Sequence, residues 1–289
     1  MPIWRITEIK INSFSIYNLH KLNSMIDLLD ILELTKDTAK EAGAFIRNER
    51  INFDQGKVEQ KGLNDLVSYV DKETEKIIVD RLSKILPEAD FITEEGTAER
   101  DGKDYTWIID PLDGTTNFIH GLPVFSVSIG LKYQDEIVLG VVYETNLDEC
   151  FYAVKGHGAF CNDKPIHVSK AQNLEESLIA TGFPYSAFGK IDDYLKILRG
   201  LMEKCHGLRR LGSAAVDMCY VACGRFDGFY EYNLKPYDVA AGIIIIQEAG
   251  GKITDFNMGK NYLFGGEVLA SNNHIHNQFY SEIQKGWSE

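Results

Sequence analysis

Two acids, Asp110 and Asp113, lie within the segment Asp110-Pro111-Leu112-Asp113-Gly114-Thr115-Thr116-Asn117-Phe118. A hydrophobic run, Thr106–Ile109, reads as a buried strand that delivers Asp110 to its carboxyl end. Pro111 has no N–H to give to a ladder, so the chain is expected to turn there. Gly114 permits an unusual backbone angle and a close approach by a ligand. Thr115 and Thr116 suit the N-cap of a short helix. Two carboxylates beside a helix N-terminus could hold hard cations next to an anion. A second acidic site, Glu94-Glu95-Gly96, directly follows the short apolar run Phe91–Thr93, and a third acid, Asp238, stands between Lys235-Pro236-Tyr237 and Val239-Ala240-Ala241-Gly242. Taken singly, each has an ordinary structural reading: a turn, solvated acids at a strand end, and a helix N-cap.

Composition restricts the chemistry. Lys and Arg number 30 against 43 Asp and Glu, a formal charge of −13 over 289 residues. That balance lacks the basic footprint of a nucleic-acid binder and does not suit anionic lipid, so neither a nucleic acid nor a membrane is expected as partner. A phosphate dianion and a carboxylate ~4 Å apart repel by about 4 kcal/mol per charge pair at an effective dielectric of ~20. An acidic cleft therefore accepts phosphate only with cations reversing the local field. The seven histidines form no His-x-x-x-His pair, and no cysteine or histidine stands in the context of a nucleophile. The cysteines at 150, 161, 205, 219 and 223 are odd in number and form no Cys-x-x-Cys, which suits packed, reduced thiols in a cytoplasm. Gly156-His157-Gly158 lacks the third glycine of a nucleotide fingerprint, and Gly251-Lys252 is followed by Ile253 instead of a hydroxyl residue.

The elements that must position these residues follow from periodicity. Apolar residues recur at helical spacing over 25–50, and a second helix is expected over Val70–Leu86, stopped by Pro87. Strands are expected over Val124–Tyr133 and Glu136–Tyr143, as a hairpin, and over Glu149–Val154. Beyond residue 170 short strands alternate with helices: strands over Leu178–Thr181, Phe226–Tyr232 and Val268–Ala270, and helices over Asp192–Cys205, Ala214–Ala222 and Val239–Ala249. The pattern is mixed α+β, with an N-terminal extension over 1–24, an α+β part over 25–170 carrying the acidic motifs, and an α/β part over 171–289 that completes the site. The four-residue run Ile243–Ile246 is far too short to span a bilayer.

In order and content, Glu94-Glu95, Asp110–Phe118 and Tyr237–Gly242 resemble the signature segments of the inositol monophosphatase family. The likeness covers essentially all of 25–289, with Tyr237 where the family usually carries Trp. Gly182-Phe183-Pro184-Tyr185 and Arg209–Glu231 resemble its bacterial branch. The resemblance implies a layered α-β-α-β-α sandwich and a homodimer. It implies two or three Mg²⁺ held by Glu94, Asp110, the Leu112 carbonyl, Asp113 and Asp238. By the same resemblance Asp71 and Thr115, with Glu94, handle the attacking water, and backbone N–H groups of Gly114 and Thr115 hold phosphate. Gly212, Ser213, Ala214 and Glu231 would face substrate hydroxyls, with Asp113 and Asp238 also at the substrate. Lys61 and Asp65 would lie in a loop covering the site. The implied reaction is hydrolysis of a small phosphate monoester, inositol monophosphate first, by metal-activated water without a phosphoenzyme. Fructose 1,6-bisphosphate, histidinol phosphate or a nucleotide 3′-phosphate are alternative substrates, and a regulatory binding protein on the same fold is an alternative role.

Overall fold

A computed structural model describes residues 27–53, 56, 58–62, 65–97, 102–184 and 188–287; the expected extension over 1–24 lies outside them. Helix α1 (Leu28–Ile51) starts where the Asp27 carboxylate accepts the Leu29 N–H at 2.9 Å, three residues later than the periodicity suggested. Its buried stripe, Ile31, Leu32, Thr35, Ala39, Ala42 and Ile46, keeps the spacing of one helical face. A hairpin of β1 (Val58–Gly62) and β2 (Asp65–Ser68) follows, so Lys61 and Asp65, expected in a loop, fall in paired strands. Helix α2 (Tyr69–Ile85) is opened by a Ser68/Asp71 capping box and ends before Pro87.

Seven strands make the larger sheet: β3 (Ala89–Thr93), β4 (Tyr105–Asp113), β5 (Ser126–Tyr133), β6 (Glu136–Glu144), β7 (Glu149–Val154), β8 (Ala159–Cys161) and β9 (Lys164–Ile166), paired in chain order. All pairs are antiparallel except β3 with β4. The short helix α3 (Thr115–His120) leaves the end of β4. The second sheet takes β10 (Leu178–Thr181), β11 (Gly207–Arg209), β12 (Gly228–Tyr232), β13 (Lys252–Thr254) and β14 (Glu267–Ser271) in the order β11-β10-β12-β14-β13. The remaining helices are α4 (Ile191–Met202), α5 (Ala214–Ala222), α6 (Pro236–Glu248) and α7 (His276–Gly286).

These elements stack in five layers. Helices α1 and α2 cover one face of the seven-stranded sheet, α5 and α6 fill the space between the two sheets, and α4 and α7 cover the outer face of the smaller sheet. Three apolar cores fill the gaps: one under α1 and α2, one around α5 and α6 that reaches both sheets, and one beneath α4 and α7. This is the layered α-β-α-β-α sandwich. The middle layer seats deeply because Gly130 and Gly140, partners across β5 and β6, face α6; a Cβ on Gly140 would stand 2.7 Å from the Ala241 carbonyl oxygen.

Several expectations are corrected here. Strand β4 does not stop before Pro111 but runs on to Asp113. The chain absorbs the proline in a bulge: Asp110 pairs with Ser128 and Asp113 with Ser126, so three steps on β4 match two on β5. Gly114, not a threonine, is the N-cap of α3, at φ 98°. Lys235 is the N-cap of α6, and Asp238 is its third helical residue. Helix α7, β8, β9, β11 and β13 were not foreseen; the strands have three residues each, too few for alternation to register.

Candidate active site

Residues three apart on a regular strand point to opposite faces. The extra residue in the β4 bulge cancels that, and Asp110 and Asp113 line the same cleft. The turn between them is internal: the Leu112 N–H donates to Asp110 Oδ1 at 3.0 Å. Glu94, just beyond the end of β3, and Asp238, from the first turn of α6, line the cleft too, as does Leu112. All five expected cation-holding residues thus meet in one cavity.

Each acid is held by the fold. Asp113 Oδ2 accepts the Ser213 hydroxyl at 2.6 Å and the Ala215 N–H at 2.8 Å, which ties it to the N-terminus of α5. Asp238 Oδ2 accepts the Lys235 N–H at 2.6 Å. Glu94 is set by its N–H bond to the Ile109 carbonyl, at 3.3 Å. The following turn is fixed by Glu75 of α2, whose two carboxylate oxygens accept the Glu95 N–H at 2.7 Å and the Thr97 N–H at 2.9 Å.

The crowding has an electrostatic signature. Burial raises the pKa of Asp110 well above the ordinary carboxylate range, and the charges of Glu94, Asp113 and Asp238 push it further. Burial does the same to Asp113, against the bonds from Ser213 and Ala215. Asp238 is raised by burial and by the charge of Asp113. Among the described residues no three acids, histidines or cysteines already converge at metal-holding distance. The donor set nevertheless fits hard cations: oxygen ligands only, with excess negative charge.

Asp71 does not line the cleft. It stands behind it, fully buried, and reaches it through Thr115, whose hydroxyl lies 2.7 Å from Asp71 Oδ1 and 3.0 Å from the Leu112 carbonyl oxygen. The Ser68 N–H and hydroxyl fix the other oxygen, Oδ2, at 2.8 and 2.7 Å. Burial raises the Asp71 pKa against these bonds. Thr115 therefore does not cap its own helix, and no side chain caps the N-terminus of α3. Gly114 must be glycine: an added Cβ would approach the Val124 carbonyl oxygen to 2.9 Å, at a backbone angle L-residues avoid.

Gly212, Ser213, Ala214 and Glu231 form a further part of the cleft's wall. The Ser213 hydroxyl is engaged with Asp113. Asn117 ties this wall to α3, donating to the carbonyls of Leu211 at 2.8 Å and Val124 at 2.7 Å. Glu231, on β12, is buried against Gly182, where any Cβ would overlap its carboxyl group. Burial raises its pKa strongly, helped by Asp238 and opposed by Arg210.

Three contributors were not foreseen. Arg210 lines the cleft, with its guanidinium 5.5 Å from the Phe183 ring. Asp217, a buried acid, also lines it. Glu75 works from behind. The last two carry a signal visible in the sequence: Glu75 follows Asp71 by one helical turn, and Asp217 is the one charged residue in the apolar run Ala214–Ala222.

A profile described as the inositol monophosphatase family matches residues 27–288. An inositol-1-monophosphatase of Mesorhizobium japonicum is 41% identical over 248 residues, 86% of this chain and 93% of that protein. The Nus factor SuhB of Escherichia coli K12 is 43% identical over 235 residues, 81% of this chain and 88% of that one. The solved structure of the extragenic suppressor protein suhB from Bartonella henselae superposes with a TM-score of 0.85 at 40% identity, covering 89% of this chain and all (100%) of that one.

Proposed function

This chain belongs to the inositol monophosphatase family, and on that premise we propose that it is a Mg²⁺-dependent phosphomonoesterase of polyol or sugar phosphates, with inositol monophosphate the preferred substrate. The observation that carries the reading is the convergence of Glu94, Asp110, Asp113 and Asp238 in one cleft, where burial raises the pKa values of Asp110, Asp113 and Asp238 and neighbouring carboxylates add to the rise at Asp110 and Asp238.

In this reading those four acids and the Leu112 carbonyl hold two or three Mg²⁺. Bound there, the ions would supply Lewis acidity, a lowered pKa for water and a counter-charge to phosphate. The chain's own groups do the rest. Thr115 Oγ1, hydrogen-bonded to Asp71 Oδ1, can take the proton of an attacking water as its own proton passes to Asp71. The raised pKa of the buried Asp71 makes it a better proton acceptor than a solvated carboxylate. The uncapped N–H groups of Gly114 and Thr115 face a phosphate across the mouth of α3. Glu231 and the Gly212–Ala214 wall face the alcohol, the part of the substrate that distinguishes one ester from another, with Asp113 and Asp238 at the junction of the two halves.

A second reading, a regulatory binding protein on this fold, is favoured by the relative named as a Nus factor. A phosphate-release panel decides between them: inositol monophosphates, fructose 1,6-bisphosphate, histidinol phosphate and adenosine 3′,5′-bisphosphate, each with and without Mg²⁺. Mg²⁺-dependent release, greatest from inositol monophosphate, is expected. Release from none of them moves the regulatory reading ahead.

A further inference from the structure

Asp217 sits in the first turn of α5, among Ala214, Ala215, Val216 and Met218, in a helix whose buried positions otherwise carry apolar side chains. Its side chain is 1% exposed and lines the cleft, and its Oδ1 has no hydrogen-bond partner. Burying a carboxylate is costly unless donors reach it. The donors closest in sequence are already taken: the Ser213 hydroxyl and the Ala215 N–H both go to Asp113 Oδ2. Packing does not call for an acid there either, since an apolar side chain would suit the same helix face. The environment of Asp217 contains two further carboxylates, Glu231 and Asp113, and one cation, Arg210.

Those surroundings define what can complete the site. A phosphate is repelled by two acids standing together. A metal ion is disfavoured, because Arg210 already supplies positive charge there. A neutral hydrogen-bond donor fits: it answers the unpartnered oxygen without adding charge.

We propose that Asp217 is a specificity-determining residue, whose carboxylate accepts a hydrogen bond from a hydroxyl of the ester's alcohol half. Beside Glu231 it makes a two-acceptor wall, so the cleft selects an alcohol with at least two free hydroxyl groups over one with none. This rests on the phosphomonoesterase reading above and adds to it a second reader of the alcohol.

The test is steady-state kinetics of the full chain with Mg²⁺, for the parent, Asp217→Ala and Asp217→Asn, on inositol 1-phosphate and on 4-nitrophenyl phosphate, whose alcohol offers no further hydroxyl. For Asp217→Ala, kcat/KM on inositol 1-phosphate should fall at least tenfold further than on 4-nitrophenyl phosphate, mostly through KM. Asp217→Asn keeps one acceptor oxygen and should recover part of that ratio. Equal losses on both esters would assign Asp217 to the fold or to the cation cluster and overturn the proposal. If the parent prefers the polyol ester and both variants keep that preference, this assignment alone falls. If the parent cleaves only the aryl ester, the polyol class proposed above falls and takes the assignment with it. A parent that cleaves neither overturns both.

Discussion

Glu75 touches nothing in the cleft, yet its replacement by Gln should weaken the binding of Mg²⁺. The carboxylate is fully buried, and its two oxygens hold the N–H groups of Glu95 and Thr97, the turn that immediately follows Glu94. Gln keeps one acceptor and turns an NH₂ group toward the other N–H. One buried donor is then left unpaired, which costs about 1–3 kcal/mol. The turn can avoid that cost by shifting, and the shift carries Glu94 with it. If the whole penalty falls on the conformation that holds cations, the Mg²⁺ concentration for half-maximal activity rises by about 5- to 150-fold, at about 1.4 kcal/mol per tenfold. Phosphate release measured against Mg²⁺ concentration reads this directly. Glu73→Gln is the matched control, on the same helix with an exposed side chain paired to Lys76. A melting temperature lowered by several degrees, with the Mg²⁺ midpoint of the parent, would leave Glu75 a purely structural acid.

Asp113→Asn removes one charge from the cluster and should abolish nearly all Mg²⁺-dependent turnover while circular dichroism shows a folded chain; near-normal turnover at ordinary Mg²⁺ would sink the cation assignment. Glu231→Gln replaces a charged acceptor with a neutral one and should lower kcat/KM on inositol 1-phosphate by about 1.5–3 kcal/mol relative to 4-nitrophenyl phosphate, a change in ratio that kinetics on the two esters would detect. His276 is fully buried, its ring nitrogens 2.8 Å from the Ser271 hydroxyl and 3.2 Å from that of Thr254, and burial lowers its pKa to about 4. An unfolded histidine titrates near ~6.5, so between the two values the unfolded chain binds a proton that the native chain refuses. Stability should therefore fall with pH from about 6.5 to about 4, by up to ~3 kcal/mol from this residue. Denaturant melts of the parent and His276→Asn across that range should show a steeper fall for the parent, and parallel curves would refute the assignment.

What was legible in the sequence, and what was not, divides along the distance over which each feature is determined. Asp110, Asp113 and Glu94 could be found because local signals surround them: apolar runs that end in acids, a proline, a glycine. Asp238 and Glu231 stood out less by such signals than by resemblance. The periodicity of α1 and α2 located both helices, missing their ends by a few residues. The bulge that turns Asp110 and Asp113 to one face was not legible, because it exists only in the pairing of β4 with Ser126 and Ser128 of β5. A proline within a strand argues for a stop when read alone, and becomes tolerable when the neighbouring strand leaves its position unpaired. Helix α7 escaped for a related reason. Its buried positions include His276 and Glu282 with Phe279 and Ile283, so the face that packs is half polar in sequence. Its histidine is satisfied by hydroxyls from β13 and β14 that no local pattern announces. Glu75 and Asp217 follow the same logic. Their sequence signals, one helical turn after Asp71 and a lone acid in an apolar run, are faint against the usual reading of a helical acid as a solvated face, and the layers around α2 and α5 make these two the exceptions. The cost of burying each therefore has to be answered elsewhere: for Glu75 by the Glu95–Thr97 turn it holds, and for Asp217 by a ligand.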